Sequence, residues 1–229
     1  SLGSVAIPID EIIAVLLGNN SSKSSWDLII LQFRLPKAIT AILVGSGLSI
    51  AGLLMQTLFR NPLAGPFVLG ISSGASLGVA ILILGAGIFG GVLTAISFSS
   101  WGLAIASSLG AAMVLLAVLI TAHKVRNTMS ILIIGLMFGT VTSAIISVFT
   151  FFSDAEKIQQ FVFWGFGSLG NLSWNEVLVF FIIYLISILT LLKVIKPLNT
   201  FLLGENYAKS LGINIKKNRN IILIITSLL

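Results

Sequence analysis

The sequence predicts an all-α, polytopic transmembrane helical bundle, and three observations carry that prediction. From Asn61 to His123 the chain runs 63 residues without a Lys, Arg, Asp or Glu. Hydrophobic residues make up 57% of the composition and charged residues 9%, far from the balance of soluble domains. Mean hydropathy is +1.12, and most of the charge sits between apolar runs of crossing length. A soluble helical core would interrupt its helices with charges on the solvent face, and these runs offer none.

The elements follow in order from the charge gaps, because backbone at lipid depth must satisfy its own hydrogen bonds and is therefore helical. Ile9, Ile12, Ile13, Leu16 and Leu17 recur at helical spacing between Pro8 and Gly18, which predicts a one-sided helix lying on the membrane surface. Lys37 to Arg60 encloses 22 uncharged residues and makes the first crossing. Asn61 to His123 holds two more, broken near Gly85 to Gly91, where Gly and Ala replace bulky residues. Asn127 to Ser153 is a fourth crossing. Val177 to Leu192 is short at 16 residues, but Trp174 and Lys193 extend it to both interfaces. Ile221 begins a sixth. All five prolines, Pro8, Pro36, Pro62, Pro66 and Pro197, are expected at element ends. Ser1 and the final apolar run suggest a piece with spans missing at both ends.

Charge then sets the orientation, since Lys and Arg concentrate in cytoplasmic loops. Arg60, Lys124, Arg126, Lys193, Lys196, Lys209, Lys216, Lys217 and Arg219 fall on one side, Lys23, Arg34, Lys37 and Lys157 on the other. Glu205 is the acid on the first side, while Asp10, Glu11, Asp27, Asp154, Glu156 and Glu176 lie on the second. The first side is therefore cytoplasmic, and Trp26, Trp164 and Trp174 fall near outer ends. The bases are spread between apolar runs, which argues against a nucleic-acid face.

Catalysis finds little material. The chain has no Cys and one His, His123, so it offers no thiol nucleophile and no sequence cluster for a metal. Gly165 to Gly170 spells a dinucleotide fingerprint, but no strand precedes it and it sits at the outer interface. Asn20 and Asn171 head triplets of the glycosylation type that arise often by chance. No Gly-rich loop ends in Lys and Ser or Thr, so any ATP is held by another polypeptide. Gly70, Gly74 and Gly78 repeat at four, as do Gly135 and Gly139, while Gly45, Ser46, Gly47, Ser49, Ala51 and Gly52 cluster in the first crossing. Close helix packing explains such residues in lipid. For Gly135, Gly139, Thr140, Thr142, Ser143 and Ser147 a second reading stands beside it, a lining for a transport pathway.

Three polar segments narrow the function. Arg34-Leu35-Pro36-Lys37 opens a crossing on the outer side. Gln56, Arg60, Asn61, Pro62, Leu63 and Ala64 lead into Gly70-Ile71-Ser72-Ser73-Gly74 at the inner face. Leu203, Gly204, Glu205, Ala208, Leu211 and Gly212 punctuate a third segment, also inside. In this order they resemble the FecCD-type permease family, the membrane subunits of ABC importers for iron-siderophores, haem and cobalamin.

The resemblance implies a single permease domain over residues 1–229 with a type II ABC importer fold of about ten spans, of which the first and last three would be missing here. It implies that Arg34 and Lys37 dock a periplasmic or lipid-anchored substrate-binding protein, and that residues 199–216 form a coupling segment resting on an ATPase. It places Asn127 and Thr128 at the cytoplasmic gate, although either could simply cap the following helix. The implied partners are a second permease copy or paralogue, two ATPase subunits carrying ATP and Mg, and membrane lipid; no cofactor and no nucleic acid is expected on this chain. The setting would be the bacterial inner membrane. A secondary transporter or channel is the rival class, and it would be expected to keep an acid or base at mid-membrane.

Overall fold

The computed structural model describes residues 5–85, 99–125, 128–170 and 172–229, with the side chains of His123 and Lys124 excepted. Every regular element among the described residues is helical. Backbone packing divides the chain into two compact units, residues 1–47 with 168–186, and residues 48–167 with 187–229.

The first unit begins with α1, Ile9–Leu16, which places Asp10 and Glu11 in its first turn, where carboxylates favour the helix dipole. Val15 is buried with Ile7 and Ile30, while Ile9, Ile13, Leu16 and Leu17 are exposed. A helix thus forms where the spacing predicts one, with an outward apolar stripe. Helix α2, Ser24–Leu28, continues through a π-helical stretch, Ile29–Arg34, into α3, Leu35–Phe59. The helical rod therefore covers Ser24–Phe59, 36 residues, and does not begin at Lys37 as the charge gap suggests. Nor does Pro36 start it. Proline has no N–H for the residue four positions back, and the wider π turn immediately ahead absorbs the defect. At 1.5 Å per residue the rod is about 54 Å long, well beyond the lipid core of about 30 Å. Trp174 donates its indole N–H to the Leu31 carbonyl at 3.1 Å, fixing the start of a later helix to this rod.

The second unit holds the inner core. Helix α4, Ile71–Ile83, spans 13 residues and about 20 Å, too short to cross alone. It packs closely against α5, Ser100–Lys124, and α6, Thr128–Phe151. Most of the expected break at Gly85 to Gly91 lies outside the described residues. Helix α7, Ala155–Gly165, is absent from the charge-gap reading, yet Ile158, Phe161 and Trp164 cover Val79, Ala80 and Ile83 of α4 and Leu84 just after it. The α4 flank is thereby closed by an amphipathic helix. Helix α8, Trp174–Leu202, runs 29 residues and contains Pro197, which the sequence placed at an element end. Proline there deletes one ladder bond close to the helix terminus, where Thr200 returns a hydroxyl bond to the Pro197 carbonyl at 2.7 Å. Helices α9, Glu205–Ser210, and α10, Ile215–Leu228, complete the chain.

Among the described residues four helical stretches, Ser24–Phe59, Ser100–Ala122, Thr128–Phe151 and Trp174–Leu202, are long and apolar enough to cross a membrane. Only 11% of the α8 window is fully buried, so that helix leaves much of its apolar surface uncovered. In lipid such a face carries no solvation penalty, which is why the chain can leave it uncovered. A cluster of Leu54, Met55, Phe59, Val118, Ile131, Val194, Phe201, Ala208 and Ile222 joins α3, α5, α6, α8, α9 and α10 at one end of the second unit.

Candidate functional site

That end is built by turns that need special backbone. Arg60 closes α3 with φ +47, and the Asn61 side chain accepts the Leu63 N–H at 2.9 Å, which turns the chain sharply. Ala64 is buried, Gln56, Pro62 and Leu63 are exposed, and a 3₁₀ turn, Pro66–Leu69, leads to α4. Glycines at φ +112 and +76, Gly204 and Gly212, bracket α9. Asn214 then caps α10 by accepting the Lys217 N–H at 3.0 Å.

Ala208 is fully buried and pins α9 to the core, so the remaining surface of this segment faces outward. Leu203, Tyr207 and Leu211 are exposed alongside Lys209. Thr128, at the start of α6, donates its hydroxyl to a Glu205 carboxylate oxygen. Glu205 stands in the first turn of α9, where a carboxylate favours the helix dipole. Asn127, the other gate candidate, lies outside the described residues.

Glu205, Thr128 and Arg60 line a cavity of about 480 Å³ together with Arg219, a residue no sequence argument singled out. Arg219 is 2% exposed and donates from Nη2 to the Ala122 carbonyl at 2.8 Å. Burial draws its pKa below the usual arginine value and the Glu205 charge opposes that, yet a guanidinium keeps its proton in either case. One signal could have exposed it. Ile215, Arg219, Ile222 and Thr226 share a helical face, so the arginine belongs to the buried stripe rather than the solvated one.

The pathway candidates separate by burial. A Cβ on Gly135 would stand 2.5 Å from the Val68 carbonyl oxygen, so this glycine lets α6 touch the backbone before α4. Thr142 is buried and bonds to the Gly139 carbonyl at 2.8 Å. Gly139 lies over Gly70 and Ser73. Ser143 is exposed, as are Thr140 and Ser147, and the three hydroxyls form an outward stripe on α6.

In the first unit, Arg34 ends the π stretch and donates to the Val5 carbonyl from Nη2, while its Nη1 is buried without a partner. Lys37, one turn on, is exposed. Thus Lys37 projects freely and Arg34 is partly engaged by its own chain.

Crossing-length helices, an uncovered apolar surface and a short helix held between two glycines define a membrane permease subunit with a type II ABC importer fold. The chain belongs to the FecCD transport family, whose profile matches residues 1–229. It is 35% identical over 228 residues to a Methanocaldococcus jannaschii protein named as an ABC transporter permease, covering 96% of this chain and 62% of that one. A Helicobacter pylori protein named as a permease of an iron chelatin transport system is 37% identical over 91% of this chain and 60% of its own. The vitamin B12 import system permease BtuC of Salmonella typhi is 33% identical over 87% of this chain and 59% of its own. Among solved structures, an inward-facing metal-chelate type ABC transporter superposes with a TM-score of 0.80 at 30% identity, over 96% of this chain and 70% of that one. The chain thus spans about three fifths of the length of these curated relatives.

Proposed function

We propose that this chain is the membrane-spanning part of an ATP-driven importer that passes a bulky metal chelate, most simply an iron-siderophore, from an external binding protein to the cytoplasm. The observation that carries this reading is α9. It is anchored by Ala208 and offers Leu203, Tyr207 and Leu211 with Lys209 to a partner. An exposed apolar patch at the edge of a polar face suits a protein interface better than water. In this reading an ATPase carrying ATP and Mg seats α9, a second permease copy or paralogue completes the passage, and two ATPase subunits drive it. Names such as iron chelatin and vitamin B12 among the relatives support a siderophore or cobalamin as cargo. Catalytic work then belongs to the ATPase, and this subunit works by rearranging interfaces in the bacterial inner membrane.

The test is reconstitution of the full-length protein in proteoliposomes with its ATPase and binding protein. Iron-chelate uptake that requires ATP is the expected result. Uptake driven by an ion gradient without ATP would instead support a secondary transporter. Within that system Arg34→Glu should weaken binding-protein docking about tenfold or more by reversing a contact charge. Docking that is unaffected by the charge reversal would remove Arg34 from the interface and leave Lys37 as the candidate.

A further inference from the structure

Among the described residues Glu205 accepts from Thr128, and it shares a cavity with a second donor that has no partner. Among the described residues no Glu205 oxygen comes within 4.0 Å of an Arg219 nitrogen, yet both side chains line the same cavity. The Arg219 Nε–H is buried and unpartnered. A buried donor left unpaired is destabilising, and more so when it belongs to a cation. The group that meets a guanidinium best is a carboxylate, which accepts two of its N–H groups at once. Glu205 is the acid among the cavity's lining residues. Arg60 lines it too, but Arg60 is exposed, so water already serves its charge.

Position makes the exchange mechanically simple. Glu205 begins a six-residue helix whose flanking glycines occupy left-handed backbone regions, so α9 is joined to α8 and α10 by two pivots. We propose that Glu205 is a latch with two seats, Thr128 in the arrangement seen here and Arg219 after α9 shifts across the cavity. In the first seat α9 is tied to the start of α6. In the second it is tied to α10 and, through Nη2 of Arg219, to the end of α5 at Ala122. The shift exchanges a hydroxyl bond for a bidentate ion pair and removes an unpaired buried donor, and it is opposed by the desolvation of the carboxylate and by the displacement of α9 from the position seen here. A push on α9 then decides whether α6 is held or free. This rests on the reading of α9 as the surface that meets the ATPase, and it supplies the two-state element that such a push would bias.

Hydrogen exchange on the full-length protein in nanodiscs with its ATPase tests the latch without relying on transport. Thr128→Val removes the first seat and should speed exchange at the start of α6 about tenfold, the scale of a hydrogen bond to a charged group. Arg219→Met removes the second seat while keeping an apolar stem, and should slow exchange there, because Thr128 is then the partner left. Thr128→Ser should match the parent protein. If Arg219→Met does not assemble, Arg219→Lys, which keeps the charge but lacks the planar fork, should shift exchange in the same direction by less. Changes of the same sign in the Thr128 and Arg219 variants, or none in Thr128→Val, would overturn the latch. Chelate uptake is scored in matched proteoliposomes: a parent protein that imports nothing counts against the importer reading alone, while the signs of the exchange changes still decide the latch.

Discussion

Gly78→Val and Gly110→Val should each cost several-fold to more than tenfold in recovered, folded protein, because α4 and α5 meet backbone to backbone at these positions. A Cβ on Gly78 would press into the Ala106 carbonyl, standing 2.9 Å from its carbon, and one on Gly110 would stand 2.8 Å from the Gly78 nitrogen. At Gly74 the added carbon would meet the Gly110 carbonyl oxygen at 2.6 Å. None of these obstacles is a side chain that can swing away. The two helices would have to separate, and overpacking of this kind costs about 1–3 kcal/mol or more. In lipid the loss is not refunded by burying more apolar surface, since contact density rather than water exclusion holds helices together there. The control lies on the same bundle. Gly139→Ala meets its first neighbour, the Ser73 hydroxyl, at 3.4 Å, and Gly52→Ala meets nothing within 4 Å. Both should stay within about 0.5 kcal/mol of the parent protein. Thermal unfolding in nanodiscs separates the two classes, and a Gly78→Val protein that melts like its parent would show that α4 and α5 are not packed this way.

The same positions show how far sequence reasoning reaches. Glycines repeating at four residues were legible as close helix contacts because in lipid little else selects for them. Charge gaps located the crossings because desolvating a charge is costly, but a gap records only what lipid touches. It cannot report that the first helix continues outward to Ser24, where water tolerates Asp27 and Lys23. It also passes over α7, whose Glu156 and Lys157 interrupt the apolar pattern while Phe161 and Trp164 still cover α4. Pro197 misled because proline is read as a terminator, whereas the last turns of a long helix can lose one bond cheaply.

The inner site was half legible for a related reason. Gly204 and Gly212 mark a short helix by backbone preference alone, which any sequence displays. The meeting of Thr128 with Glu205 joins residues 77 apart, and nothing local in either segment encodes it. Arg219 was counted with the solvated bases by its letter, although its helical face is the apolar one. Nor does burial follow hydroxyl content on α6. Thr142 turns inward and Ser143 outward one residue later, so the stripe of hydroxyls divides between packing and surface.

Gly204→Val should abolish coupled uptake, with Gly212→Asn as its mild counterpart. That expectation rests on the proposed reading of α9 as the surface that meets an ATPase. The two glycines flank the same helix, yet their backbones differ in what they exclude. Gly212 has φ +76, a left-handed value that Asn tolerates. Gly204 has φ +112 with ψ +152, a region that side chains almost never enter. The obstacle at Gly204 is conformational rather than steric, since an added Cβ would meet Arg60 only at 3.6 Å, an ordinary contact. A β-branched residue there adds strain of about 1–3 kcal/mol or more, which the chain relieves by rotating α9 so that Ala208 leaves the core and Glu205 leaves Thr128. An ATPase would then push on a helix no longer connected to α6, so hydrolysis continues while chelate uptake per ATP collapses. Gly212→Asn should keep most of that uptake, because the far pivot survives. Measuring uptake and hydrolysis together in proteoliposomes distinguishes this from simple misfolding, in which both fall in step. Full coupling in Gly204→Val would mean that α9 is not the element through which ATP acts on this permease.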